Sequence, residues 1–318
     1  PPRARAVRIG RARFSPALSL ARAVAALSGL SSAPPLLAEL SLRGAGLDPD
    51  TSQALAAFLS SPAAAVLRAL DLGDNPDMGP EGVTVVAGAL LMLGEVLRRL
   101  SVARTGMGAA GGRAVAAALL TMRRLEELDA GGEGVDATLA VVQTLPLGLR
   151  VLRVSREGAL GGPEAVGPLV AKLRAADPGL EELYIGDVPD PRVLTGLAWT
   201  PHPGCVAVLA EHALRPTARN PRPLRVLELC GVRLEGEAAA SLAGALPDMA
   251  GLRVLRLRAC TVADGGAAAL VDALPRGVLE ELELPDAGPA TAAALRRDEA
   301  VRRALEAFAL RLRDMGVV

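Results

Sequence analysis

Along most of the chain hydrophobic residues fall in one recurring frame, L-x-x-L-x-L, followed by a short turn and then an apolar stretch with helical spacing. The frame opens at Ala4, Leu37, Leu67, Leu97, Leu125, Leu149, Leu180, Leu224, Leu252, Leu279 and Leu305. Its clearest copies are Leu67/Leu70/Leu72, Leu97/Leu100/Val102, Leu224/Leu227/Leu229 and Leu252/Leu255/Leu257, and Leu149/Leu152/Val154 is a weaker one. The alternation at positions 4 and 6 is that of a strand with one buried side. Successive openings are 24 to 33 residues apart, except for a step of 44 between Leu180 and Leu224. A typical step near 28 leaves room for a strand, a turn and a full α-helix. The intervening segments carry the helical signal: Ala267, Leu270, Val271 and Leu274 stand at i, i+3, i+4 and i+7, and 237–246 and 112–120 behave alike. Small Gly and Ala in these segments are expected to let helices sit close to strands.

A pattern that recurs in phase over nearly the whole chain resembles the leucine-rich repeats of the ribonuclease-inhibitor-like class, also seen in Ran GTPase-activating proteins and NOD-like receptors. The helical stretches around Gly266 to Leu270 and Gly236 to Leu246 are similar to that class's G-A-x-A-L-A phrase. The resemblance implies an α/β leucine-rich-repeat solenoid of about eleven repeats, with a curved parallel sheet on the concave side and α-helices on the convex side. The family's Asn or Cys, eight residues after each opening, stands here only as Asn75 and Cys260. Elsewhere the position holds residues such as Ala45, Thr105, Glu133 and Val232, so those turns must find other partners for their backbone groups. The array is a degenerate member.

The long step sets the domain organisation. It holds Pro189, Pro191, Pro201, Pro203, Pro216, Pro221 and Pro223, which reads as a protruding loop or a joint. The expected division is an N-terminal array at 1–188, an irregular Pro-rich insertion at 189–223 and a C-terminal array at 224–318.

Composition supports repetition over a single irregular core. The chain has 318 residues, 51% hydrophobic but only 2% aromatic, so Leu, Ala and Val must fill many small, regular packing cells. Basic and acidic residues balance at 35 each, which leaves no net electrostatic footprint for nucleic acid or an anionic membrane. The balance is local, though. Arg3, Arg5, Arg8, Arg11 and Arg13 form a basic N-terminal arm with no acid before Glu39; it reads as a remnant of a transit peptide or a solvated end cap, or as an arm for RNA, lipid or an acidic partner, the one place where nucleic acid could be touched. The three cysteines, Cys205, Cys230 and Cys260, are too few and scattered for a disulfide framework. An intracellular, reducing compartment is expected, the cytoplasm or an organelle reached with a transit peptide. No apolar run is long enough for a transmembrane helix. The chain opens Pro-Pro without a methionine, which suggests processing or a partial product, and the strand-like patterns near both limits suggest ends continued by further segments or covered by neighbours.

If positions 1, 4 and 6 point inward, positions 3, 5 and 7 face the concave side. The middle column then runs Arg8, Ser41, Asp71, Ser101, Asp129, Arg153, Tyr184, Glu228, Arg256 and Glu283. Flanking positions add Glu39, Arg99, Glu127, Glu182 and Glu281 on one side and Arg43, Cys230 and Arg258 on the other. Such a mixed, mildly acidic face suits a protein with basic patches better than a nucleic-acid backbone. Interface energy concentrates in Trp, Tyr and Arg. The single tyrosine, Tyr184, and the single tryptophan, Trp199 in the insertion, therefore mark the expected centre of a partner-binding site that includes Asp71, Asp129, Arg153, Glu182, Glu228, Arg256, Arg258 and Glu283.

Catalytic chemistry is not written in the chain. His202-x2-Cys205-x6-His212 lacks the second Cys pair and spacing of a zinc site. The run Asp71 to Asp77 has its Gly in the wrong place for a calcium loop. Phosphate-loop and nucleophile-elbow motifs do not occur. No enzyme activity, cofactor or metal is expected. The leading expectation is a non-catalytic protein-interaction scaffold with several protein partners, a structural subunit of a larger eukaryotic assembly. The alternatives are a regulator of an enzyme, of the GTPase-activating or ribonuclease-inhibitor type, and a bacterial effector adaptor.

Overall fold

A computed structural model describes residues 6–8, 37–175, 179–186, 201–202, 204–212, 214, 224–262, 264–275 and 279–284. The chain divides into two compact units, Pro1–Gly158 and Ala159–Val318. In the first, strands β1 (Ala6–Arg8), β2 (Glu39–Ser41), β3 (Ala69–Asp71), β4 (Arg99–Ser101), β5 (Glu127–Ala130) and β6 (Val151–Val154) lie side by side in chain order. All are parallel, and the register is regular: Leu40, Leu70, Leu100, Leu128 and Leu152 are successive partners. None of these five is more than 2% exposed, and burying each contributes about 1.5–3 kcal/mol.

Between the strands run α1 (Pro49–Leu59), α2 (Gly79–Leu90), α3 (Gly108–Leu119) and α4 (Val135–Val142). Each buries one stripe, for example Val83, Val86, Ala87 and Leu90 in α2, so the core is the layer between strands and helices. Asp48 starts α1 with a capping box: its carboxylate accepts from the Thr51 amide while the Thr51 hydroxyl accepts from the Asp48 amide. Those hydrogen bonds hold the Asp48 carboxyl below its ordinary value. The helical glycines act mainly between helices, which corrects the expectation that they serve helix-on-strand approach. A Cβ on Gly112 would lie 2.5 Å from the Ala137 Cα of the next helix, so only hydrogen fits at that crossing.

The second unit repeats the plan. Helix α5 (Arg156–Leu160) crosses the division, and α6 (Pro163–Ala175) follows. Strands β7 (Glu182–Ile185), β8 (Val226–Cys230), β10 (Val254–Arg258) and β12 (Glu281–Glu283) pair in parallel, with β9 (Arg233–Leu234) and β11 (Thr261–Val262) forming a two-stranded parallel ribbon after the turns. Leu183, Leu227, Leu255 and Leu282 are in register and fully buried. Helices α8 (Glu237–Ala245) and α9 (Asp264–Asp272) stand where the helical spacing predicts them. Within the expected irregular segment 189–223, the described part contains helix α7 (Cys205–His212), packed against α6 and α8. The prolines around it had concealed a regular return helix.

Lys172, on α6, is the only lysine in the chain and is buried. Desolvation drives its pKa down to about 8. An unfolded lysine titrates near ~10.4, so between roughly pH 8 and 10.4 the unfolded chain binds more protons and stability rises with pH. Below pH 8 the burial cost is fully present. Lys172→Met is therefore expected to raise the stability of the second unit by about 2 kcal/mol at pH 7 and to flatten its stability profile between roughly pH 8 and 10. Urea titrations at several pH values check both.

Candidate functional site

The turns that follow the strands are held by side chains at one equivalent position. Asn75, 1% exposed, accepts from the amides of Gly46 at 2.8 Å and Leu47 at 3.1 Å in the preceding repeat. Its amide group donates to the carbonyls of Leu42, Leu72 and Gly73. Where the sequence departs from Asn, these duties are divided. Glu133 accepts from the amides of Thr105 and Met107 in its preceding repeat; the Thr105 hydroxyl donates to the Val102 carbonyl; Cys260 Sγ donates to the Leu229 carbonyl at 3.3 Å. Burial pushes the Glu133 carboxyl up, against the hydrogen bonds that stabilise its ionised form. Glu133, which reads as a departure in the sequence, is thus a working substitute.

On the open side of the first unit the strand register places Arg8, Ser41, Asp71, Ser101, Asp129 and Arg153 next to one another in one row. Ser41, Asp71, Ser101, Asp129 and Arg153 line a groove of about 430 Å³ whose lining also includes Glu39, Arg43, Arg99 and Glu127. Asp71 and Asp129 are fixed alike: each carboxylate accepts from the amide two residues on, Gly73 at 3.0 Å and Gly131 at 3.2 Å. The Ser41 hydroxyl donates to Asp71 at 3.1 Å. Arg43 reaches Asp74 at 2.7 Å, and Arg99 reaches Glu39 at 2.6 Å. Arg104, then Arg43, hold the Asp74 carboxyl below its usual range. Between the two fixed aspartates, Ser101 Oγ is buried and has no hydrogen-bond partner among the described residues.

The second unit's row is Tyr184, Glu228, Arg256 and Glu283, again in register. Here the charges satisfy one another. Arg256 bonds Glu281 at 2.7 Å and Glu228 at 3.1 Å, and Arg258 bonds Glu283 at 2.8 Å and approaches Glu228 at 3.6 Å. Glu228 and Glu281 are 3% and 5% exposed, so two acids read as open binding groups are buried anchors of a charge ladder. The Glu281 hydrogen bond, opposed by burial and helped by Glu228, raises the Arg256 pKa further above its ordinary value. Tyr184 donates its hydroxyl to Glu182 at 2.8 Å, which makes the tyrosine a fixed, half-buried rim beside that ladder.

Position 7 is divided: Arg43 and Arg258 reach the open side as expected, whereas Cys230 is fully buried, like Ala103 and Ser155 at the same position; the Arg43 guanidinium sits over Gly73, the position-7 residue of the next repeat. All three cysteines are free and buried, and burial, then Glu164, raises the Cys205 thiol pKa. Among the described residues no group of three or more His, Cys, Asp or Glu is arranged to hold a metal ion, and no helix is long and apolar enough to cross a membrane. Trp199 and Arg3, Arg5, Arg11 and Arg13 lie outside the described residues; of Arg8 only the backbone in β1 is described.

With this geometry in place, the sequence profile of the family described as Leucine Rich repeat matches residues 64–87, the stretch that spans β3, the Asn75 turn and most of α2. The chain is a leucine-rich-repeat protein. No curated protein is similar to it in sequence. Among solved structures, a chain of the crystal structure of the Rad7 and Elc1 complex in yeast is similar over 87% of this chain and 74% of that one, with 15% identity and a TM-score of 0.36. The leucine-rich-repeat family is generally non-catalytic.

Proposed function

We propose that this leucine-rich-repeat protein is a non-catalytic scaffold, a subunit of a larger assembly, that holds a protein partner on the open strand face of the unit Pro1–Gly158. The observation that carries this is the groove around Ser101: a buried hydroxyl without a partner among the described residues stands between two carboxylates, Asp71 and Asp129, each already oriented by a backbone amide. Two fixed carboxylates on either side of an uncommitted hydroxyl favour a donor-bearing side chain, such as Lys, Arg or Asn, entering from another protein. The row's spacing is that of parallel strands, about 4.8 Å, which suits contacts along an extended or helical segment. The ladder in the second unit serves stability first and offers Tyr184 and Arg258 as its accessible groups. Free, buried cysteines and repeat steps near 28 residues suit an intracellular member of the ribonuclease-inhibitor-like class.

The test is affinity purification of the full chain under native conditions, followed by size-exclusion chromatography and mass spectrometry. A stable complex with defined partners is expected. A monodisperse monomer with nothing bound, from the native source and at low salt, would contradict the proposal.

A further inference from the structure

The geometry points to a second docking surface, independent of the strand face: the edge where helices of the first unit hand over to strands, which takes an amphipathic helix with acidic flanks from a partner protein. Met92, Leu120 and Leu147 are 71%, 71% and 73% exposed, although the chain buries nearly all its other large apolar side chains in the described core. They are not scattered. Met92 and Leu120 each stand five residues before their repeat's opening leucine, and Leu147 stands two before the next.

The three loops lie against one another. A Cβ on Gly94 would meet the Thr121 carbonyl at 2.6 Å, and one on Gly148 would lie 3.5 Å from the Arg123 carbonyl. Glycine at 94 therefore lets the first loop seat directly on the second. Between the second and third loops lies a cleft of about 460 Å³, lined by Leu120, Met122, Arg123, Thr144, Pro146 and Leu147 among others. Three exposed apolar side chains on adjacent repeats, with a cleft of mixed lining between two of them, form a stripe of the kind that marks interaction sites when large side chains are left in water.

Charge selects the occupant. Backbone hydrogen bonds stack Arg68, Arg98, Glu126 and Arg150 in one row immediately before the strands, alongside the stripe. Arg123 and Arg124 project from the second loop, where both are exposed. Arg98 pairs with Glu126, and Arg123 approaches Glu95 at 3.7 Å. Arg68, Arg98, Arg123 and Arg124 thus stand against Glu95 and Glu126, a surplus of two positive charges. Repeats separated by about 5 Å at the strands and 8–10 Å at the helices place the outer knobs roughly 10–20 Å apart, or two to four turns of a helix. An α-helix with Leu or Phe at i, i+4, i+7 and i+11 and Asp or Glu on either side matches both length and charge.

The experiment uses the full chain and a fluorescent peptide of about 18 residues with that apolar stripe and Glu flanks, followed by anisotropy. Saturable binding is expected. It should weaken at least about tenfold when Lys replaces the flanking Glu, and again by at least about tenfold in Leu120→Asp/Leu147→Asp, while Asp71→Asn leaves it unchanged. Leu120→Ser/Leu147→Ser, which adds no charge, should also lose most binding, and the circular dichroism melt of both variants should match the parent because these side chains are already in water. The surface is assigned wrongly if the double variants bind the peptide as well as the parent does. It is equally wrong if the peptide fails to bind while anionic phospholipid vesicles retain the chain, or if the Ser variant converts a dimer of the chain to monomer without affecting the peptide. A failure of Asp71→Asn to affect partner capture would strike only the strand-face proposal.

Discussion

Replacing Asn75 with Ala is expected to lower the stability of the unit Pro1–Gly158 by about 3–5 kcal/mol, enough to melt it at moderate temperature. The reason is the number of buried groups one side chain serves. Without it, the amides of Gly46 and Leu47 lose an acceptor and the carbonyls of Leu42, Leu72 and Gly73 lose a donor. Asn75 is 1% exposed, so water cannot replace it without opening the stack, and an unsatisfied buried donor alone costs about 1–3 kcal/mol. Asn75→Asp should fail almost as badly, since it restores the acceptor for two amides while setting a carboxylate against three carbonyls. Hydrogen exchange localises the effect: protection should collapse first at Gly46 and Leu47. A loss under about 1 kcal/mol in denaturant titration would show that the turn does not depend on this side chain.

The second large effect concerns the charge ladder. Arg256→Met should destabilise the unit Ala159–Val318 by about 3–5 kcal/mol, because it leaves two buried carboxylates without their central cation. Glu281 loses a partner at 2.7 Å and Glu228 one at 3.1 Å. Arg258, at 3.6 Å from Glu228 and committed to Glu283 at 2.8 Å, covers only part of the loss. If the cost comes from stranded charge, Arg256→Met combined with Glu228→Gln and Glu281→Gln should recover most of it, as burial of neutral groups is cheaper than burial of unpaired ions. A triple variant no more stable than the single one would locate the cost in packing of the arginine stem instead.

Much of this structure was legible in the sequence because a repeat states its rule many times. The inward leucines, the parallel order of strands and the helices at 108–119, 237–245 and 264–272 all follow from period 2 alternating with period 3.6. The middle row of the strand face followed too, since register in a parallel stack is fixed once the inward set is known. What was not legible depended on pairs of repeats. Glu133 as a turn acceptor needs the Thr105 and Met107 amides of the preceding repeat, and no single repeat announces that. Cys230 is expected in the open by the alternation that brings Arg43 and Arg258 there from the same position, yet it is fully buried, because alternation does not say how neighbouring side chains cover a short one. Glu228 and Glu281 were counted as exposed acids because a strand pattern gives direction and not the reach of an arginine from the next strand. The helix at Cys205–His212 was hidden by flanking prolines. Met92, Leu120 and Leu147 drew no attention because, in a chain that is 51% hydrophobic, an exposed leucine looks like every other one.

If the row around Ser101 holds a protein partner, removing the two charges that flank it should release that partner. Quantitative affinity purification of the full chain is compared with Asp71→Asn/Asp129→Asn, in which each amide side chain can still accept the turn hydrogen bonds from Gly73 and Gly131 while the two charges are gone. Melting temperature serves as the control for folding. The predicted result is an unchanged melt with partner recovery reduced at least about tenfold, an effect that grows as salt is lowered. Full recovery of every partner by the folded variant would contradict the claim.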